Sequence, residues 1–169
     1  MSLKSSLNAR ILIADANPHA LRLFQDVLRL ECFTNVAAFT NGKDLLRAML
    51  EAPPAIVIVA ADLPDAPAAA LAKLIRAGHG AISRTTSIIA TIRQATPDLI
   101  QMLRIAGVDE ILAQPFSAGD LLARIEAVVL RPRRFVDTPN YRGPCRRRRM
   151  LEHYGGPLRR DADAEAVTK

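Results

Sequence analysis

The 169-residue chain is half hydrophobic, 4% aromatic and carries a net charge of +6. Its core must therefore be aliphatic, and the length suits one domain plus a tail. No apolar run reaches the ~18 residues of a bilayer span, and the opening MSLKSSLNAR lacks the apolar centre of a secretory signal. A cytoplasmic protein is expected, with Cys32 and Cys145 as free thiols because they match no metal spacing.

The charge is unevenly placed. Residues 1–130 hold twelve basic and twelve acidic side chains, whereas 131–160 hold ten arginines against Asp137 and Glu152. This sets a boundary near Arg131. The expected organisation is a flexible N-terminus over 1–8, a folded unit over 9–131 and an Arg-rich tail over 132–169.

In chain order, RILIAD (10–15) reads as a buried strand. PHALRLFQDVLRLE (18–31) reads as a helix opened by Pro18, with Leu21, Phe24, Val27 and Leu28 at helical spacing. TNVAAF (34–39) is a weaker strand, broken by Asn41-Gly42, and KDLLRAMLE (43–51) a helix. AIVIVA (55–60) has no polar alternation, which predicts a strand covered on both faces.

APAAALAKLIRA (66–77) is a predicted helix ended by Gly78, and SIIATI (87–92) a strand. TPDLIQMLRIAG (96–107) has Thr96 as N-cap and Gly107 as its end. EILA (110–113) is a short strand, and SAGDLLARIEAVVL (117–130) opens with the capping pair Ser117 and Asp120.

Five strand–helix units in strict alternation imply parallel strands with right-handed helical crossovers. The expected fold is α/β, a doubly wound five-stranded sheet in flavodoxin-like order 2-1-3-4-5. Its site should lie outside the carboxyl ends of the strands, at Asp15-Ala16, Ala60-Ala61-Asp62, Ile92-Arg93 and Ala113-Gln114-Pro115.

These segments resemble the receiver domain of bacterial response regulators over roughly residues 9–131. ILIADANP resembles the first strand with its acid pair, and AGVDEILAQPFSAGDLLARI the last strand–helix unit. The resemblance implies a non-enzymatic signalling protein. It also implies the parts of receiver chemistry: an acid pair for Mg²⁺, a phosphoacceptor aspartate ending strand 3, a hydroxyl ending strand 4 and a lysine after strand 5. By that matching the first acid is Asp15, but the second is Ala16. The acceptor place holds Ala60, the hydroxyl place Ile92 and the lysine place Gln114.

Alanine has no lone pair to attack phosphorus, and Asp15 alone would hold Mg²⁺ poorly. The expectation is a degenerate receiver with no catalytic residue, metal or cofactor. It would work through a signalling partner, whether histidine kinase, phosphotransferase or output protein, or as a homodimer. Asp62 is the rival acceptor if the register slips by two, and its plainer reading is a turn residue in DLPD. By the same resemblance Gln114-Pro115 is expected to be cis, and a single conformational state is expected.

The tail (131–160) mixes Pro, Gly, Arg and single aromatics without strand or helix periodicity, so an extended segment is expected. Three readings stay open. The tail packs back through Phe135 and Tyr141. It binds a nucleotide (cyclic di-GMP) or nucleic acid through Tyr141, Arg142, Arg146, Arg147, Arg148 and Arg149. Or it docks on an acidic protein or an anionic lipid. His19, His79 and His153 have no metal-spaced partners, and no glycine-rich phosphate loop is present.

Overall fold

A computed structural model of the chain describes residues 7–78 and 80–146. Its strands are β1 (Ile11–Ala14), β2 (Val36–Phe39), β3 (Ile56–Ala60), β4 (Ser87–Ile92) and β5 (Glu110–Ala113). They alternate with helices α1 (Pro18–Leu30), α2 (Gly42–Glu51), α3 (Ala68–Ala77), α4 (Pro97–Ala106) and α5 (Ala118–Leu130). The sheet is parallel, in the order β2-β1-β3-β4-β5.

Side-chain alternation along the central strands divides the core in two. Leu12, Val57 and Ile88 meet Leu45, Leu71 and Leu103 of α2, α3 and α4. Ile11, Ile13 and Ile58 meet Phe24, Leu28, Leu121 and Ile125 of α1 and α5. Both faces of β1 and β3 are buried, which is why neither strand alternates in sequence. The partly buried Leu7 packs against the second cluster.

The caps form as the residues demand. Thr96 accepts the Leu99 amide, and Ser117 and Asp120 close a reciprocal capping box. Gly107 ends α4 in the left-handed region, at φ 95°.

The expectation of an extended tail does not hold for its described part. Phe135–Thr138 (β6) and Tyr141–Pro144 (β7) form an antiparallel hairpin. The Thr138 hydroxyl accepts the Tyr141 amide and donates to the Tyr141 carbonyl, closing the Pro139-Asn140 turn. The hairpin docks beside α3 and the α4–β5 turn, at the amino edge of the sheet.

Gly143, at φ 152°, faces Gly107 there. A Cβ on Gly143 would lie 2.9 Å from the Gly107 Cα, and one on Gly107 would lie 3.0 Å from the Arg142 carbonyl oxygen. Two glycines thus let two backbones touch.

Candidate functional site

The carboxyl edge of the sheet gathers the residues singled out by sequence. β1 delivers Asp15 into the interior, where it is 1% exposed. Its amide donates to the Phe39 carbonyl, extending the β1–β2 ladder. Its Oδ1 accepts the Asn17 amide at 2.8 Å, while Oδ2 is buried without a hydrogen-bonding partner among the described residues. Ala16 is exposed and supplies no ligand.

β3 ends at Ala60, buried and paired with Thr91 of β4. The register of β4 puts Ile92 opposite Ala113 and buries it with α3 and α4, so no hydroxyl stands at that strand end. The Thr91 Oγ1 is buried and unpartnered, and strand alternation turns it to the opposite face from Ile92. The Gln114 amide donates to the Ile92 carbonyl at 2.7 Å, and the Gln114-Pro115 bond is cis.

Arg93, the first residue after β4, is the member of this site to which the sequence reading gave no role. Its Nη1 lies 3.1 Å from Asp62 Oδ2, and its Nη2 lies 4.0 Å from Asp15 Oδ1. A guanidinium therefore bridges the acid after β1 and the acid after β3. Arg93 is 54% and Asp62 60% exposed, so the pair contributes little to stability. Its weight is positional: a fixed cation lies between the two carboxylates. The available signal was a cation at the switch point between acidic loops.

The DLPD turn has a second function in the fold. The Asp65 carboxylate accepts the amides of Gly42 at 2.9 Å and Lys43 at 3.1 Å, capping α2 from another loop. The Gly42 amide bond holds the Asp65 carboxyl below its ordinary 3.8, against a smaller upward push from desolvation. Gly42 is required because a Cβ there would run into the Ala66 Cβ.

Whether this pocket fits a divalent cation can be judged from its donors. The orphaned Asp15 Oδ2 favours one. Ala16 and Ala60 contribute nothing, and the Arg93 guanidinium lies against the remaining carboxylates. Among the described residues no group of three or more Asp, Glu, His or Cys could hold a metal. The donor set does not fit Mg²⁺.

At the opposite edge Arg76, 3% exposed, ties the hairpin end together. It donates to the carbonyls of Gly107, Arg84 and Thr86 and to Asp109 Oδ2 at 2.6 Å, with Phe135 against its guanidinium at 5.8 Å. Burial pushes Asp109 up and Arg76 down, and their mutual attraction opposes both shifts. Glu110 holds Arg124 and Arg133, and Asp137 holds Arg84 and Arg142.

The structure brings Tyr141, Arg142 and Arg146 together on this hairpin. Arg146 stacks on the Tyr141 ring at 4.0 Å, and the Tyr141 hydroxyl donates to the Pro144 carbonyl at 2.7 Å. Phe135 lies against the Arg76 guanidinium, and the Tyr141 ring lies beside Gly143 within the hairpin. Arg147, Arg148 and Arg149, with His79 and His153, lie outside the described residues. The missed hairpin had a local signal: Thr-Pro-Asn-Tyr is turn chemistry between short β-prone runs.

Fold and pocket together define an α/β signalling domain of the receiver type. Comparison with known proteins agrees on the class. The response regulator receiver domain model matches residues 11–126, and the chain belongs to that family. It is 31% identical over 121 residues to the transcriptional regulatory protein KdpE of Mycobacterium tuberculosis, covering 72% of this chain and 51% of that protein. It is 29% identical over 134 residues to the DNA-binding response regulator MtrA of Mycolicibacterium smegmatis, covering 79% and 55%. The chain thus spans about half the length of these relatives.

Among solved structures, the chemotaxis protein CheY4 of Vibrio cholerae superposes with a TM-score of 0.66 at 19% identity, over 72% of this chain and 99% of that one. This supports the fold alone. No helix among the described residues is long and apolar enough to cross a membrane.

Proposed function

We propose that the chain is a receiver that conveys its signal without an aspartyl phosphate, through protein–protein contact in a bacterial two-component or phosphorelay system. One observation carries this reading: β3 ends in Ala60, while Arg93 lies across Asp15 and Asp62. The acceptor place has no nucleophile, and the place of the metal faces a guanidinium. Phosphoryl transfer needs charge on the equatorial oxygens offset by a positioned cation beside a nucleophile. Here the cation is tethered and the nucleophile is a methyl group.

In this reading the protein is not an enzyme. Its partner is a cytoplasmic kinase, phosphotransferase or output protein that recognises the receiver surface in one state. Asp62 as a relocated acceptor is disfavoured by its ion pair with Arg93.

The test is intact mass after incubation with acetyl phosphate and Mg²⁺. The expected result is no phosphoryl adduct on the full chain. An adduct that disappears in Asp62→Ala would overturn the reading in favour of the relocated acceptor.

A further inference from the structure

The hairpin does more than cover the amino edge of the sheet. Its turn stands off from α3 and α4 and leaves a cleft of about 420 Å³ between them. It is an open surface cleft, not an enclosed cavity. One wall is apolar: Ala77 of α3 and Ile105 of α4, the latter 46% exposed although it is a large aliphatic side chain. The other walls carry Lys73, Asn140, Tyr141 and Arg142.

The charge of this cleft is of one sign. Among the described residues no carboxylate lines it. The buried Arg76 in its floor is committed to Asp109 and three carbonyls. Arg142 shares Asp137 with Arg84, so that carboxylate is outnumbered two to one. Arg142 reaches Asp137 through Nε and is 49% exposed, which leaves the outer guanidinium nitrogens to a ligand. Lys73 is exposed, and among the described residues no carboxylate pairs with it.

An anion held by an ammonium and a planar fork, beside an exposed aliphatic wall and an amide side chain, calls for a ligand with two chemically different ends. We propose that this cleft binds a nucleoside phosphate, its base on Ala77 and Ile105 and its phosphates on Lys73 and Arg142. The Asn140 amide is placed to hydrogen-bond the sugar or base edge. The site exists only because Gly107 and Gly143 let the hairpin dock. It uses none of the carboxyl-edge pocket, so it stands or falls independently of the phosphorylation reading.

The experiment is isothermal titration of the full chain with GTP, ATP and inorganic pyrophosphate. Saturable binding of at least one nucleotide is expected at one site, with pyrophosphate roughly tenfold weaker because it lacks the base. Lys73→Ala and Arg142→Gln should each weaken the nucleotide about tenfold, the scale of one charge-assisted hydrogen bond. Ile105→Asp, an exposed change that leaves the core intact, should abolish it. Replacing Arg147, Arg148 and Arg149 together with alanine should alter affinity less than about threefold if the tail arginines add only long-range attraction.

Four results would overturn the proposal. Neither nucleotide gives saturable heat. Pyrophosphate binds as tightly as the nucleotides. Ile105→Asp and Lys73→Ala leave binding unchanged. Or only the triple arginine replacement removes it.

Discussion

Arg93 Nη1 lies 3.1 Å from Asp62 Oδ2, and the same guanidinium faces the buried Asp15 at 4.0 Å. In the proposed reading this guanidinium takes the place of a recruited cation. Removing it should partly restore the demand for a metal. In Arg93→Ala, millimolar Mg²⁺ or Mn²⁺ is expected to raise the melting temperature by a few degrees, roughly what ligand at tenfold its Kd supplies. The parent protein should not respond. Equal shifts in both would show that the guanidinium does not stand in for the ion. Without metal the variant should lose less than about 1 kcal/mol, because the bridge is half exposed.

Asp65 offers a pH test. In the folded protein the Gly42 and Lys43 amides hold its carboxyl below 3.8. The unfolded chain lacks these bonds, so it binds the proton first as pH falls. The stabilising contribution is therefore complete above the ordinary carboxylate value and is lost as pH drops through the lower folded one. Asp65→Ala should have a reduced urea midpoint at neutral pH, and the gap from the parent should close in acid. A gap that persists unchanged in acid would assign the loss to packing.

Glycine substitutions separate two backbone environments. Gly143→Ala meets the Gly107 Cα at 2.9 Å with φ at 152°, so the hairpin must shift or detach. A loss of about 1–3 kcal/mol is expected. Gly119 lies near the start of α5, with Ser117 Oγ the nearest atom at 3.7 Å. There alanine should stabilise by about 0.5–1 kcal/mol through backbone entropy. Chemical denaturation measures both, and amide exchange in residues 135–144 reports whether the hairpin has left.

The Arg76–Asp109 pair is buried enough for its breakage to be costly. Arg76→Met leaves Asp109 with the Ile88 amide as its remaining hydrogen-bond donor among the described residues, and should cost about 3–5 kcal/mol. Arg76→Lys should not rescue it, since an ammonium cannot span the carbonyls of Gly107, Arg84 and Thr86 together with Asp109. Joining Arg76→Met with Asp109→Leu should recover part of the loss, because no charge is then left buried. A double variant no more stable than Arg76→Met would count against an ion-pair origin.

The α/β unit was legible because its strands and helices are written in local patterns. IVIVA admits no exposed face, and the Ser117–Asp120 pair marks a helix start. The differences are of one or two residues at element ends, the largest at starts: β2 begins at Val36 and α3 at Ala68 rather than at Thr34 and Ala66. Residues 66 and 67 stay in the loop that Asp65 pins to α2. The end of β3 was also readable, and the observed β3–β4 register pairs Ala60 there with Thr91. Arg93 and Arg76 were not, because their meaning comes from partners far along the chain. Arg76 looks like a solvated helix residue until Gly107, Thr86 and Asp109 close over it. The hairpin escaped for a similar reason: its strands are too short for periodicity, and its docking depends on two distant glycines.

The contact of Gly107 with Gly143 also fixes where the polypeptide leaves the domain. Arg146, the last described residue, is held beside α4 by the Arg104 side chain, which donates to its carbonyl at 3.1 Å. That place is at the amino edge of the sheet, a strand length away from Arg93 at the carboxyl edge. A partner gripping one rim would have to move the intervening strands, or span the molecule, to influence the other.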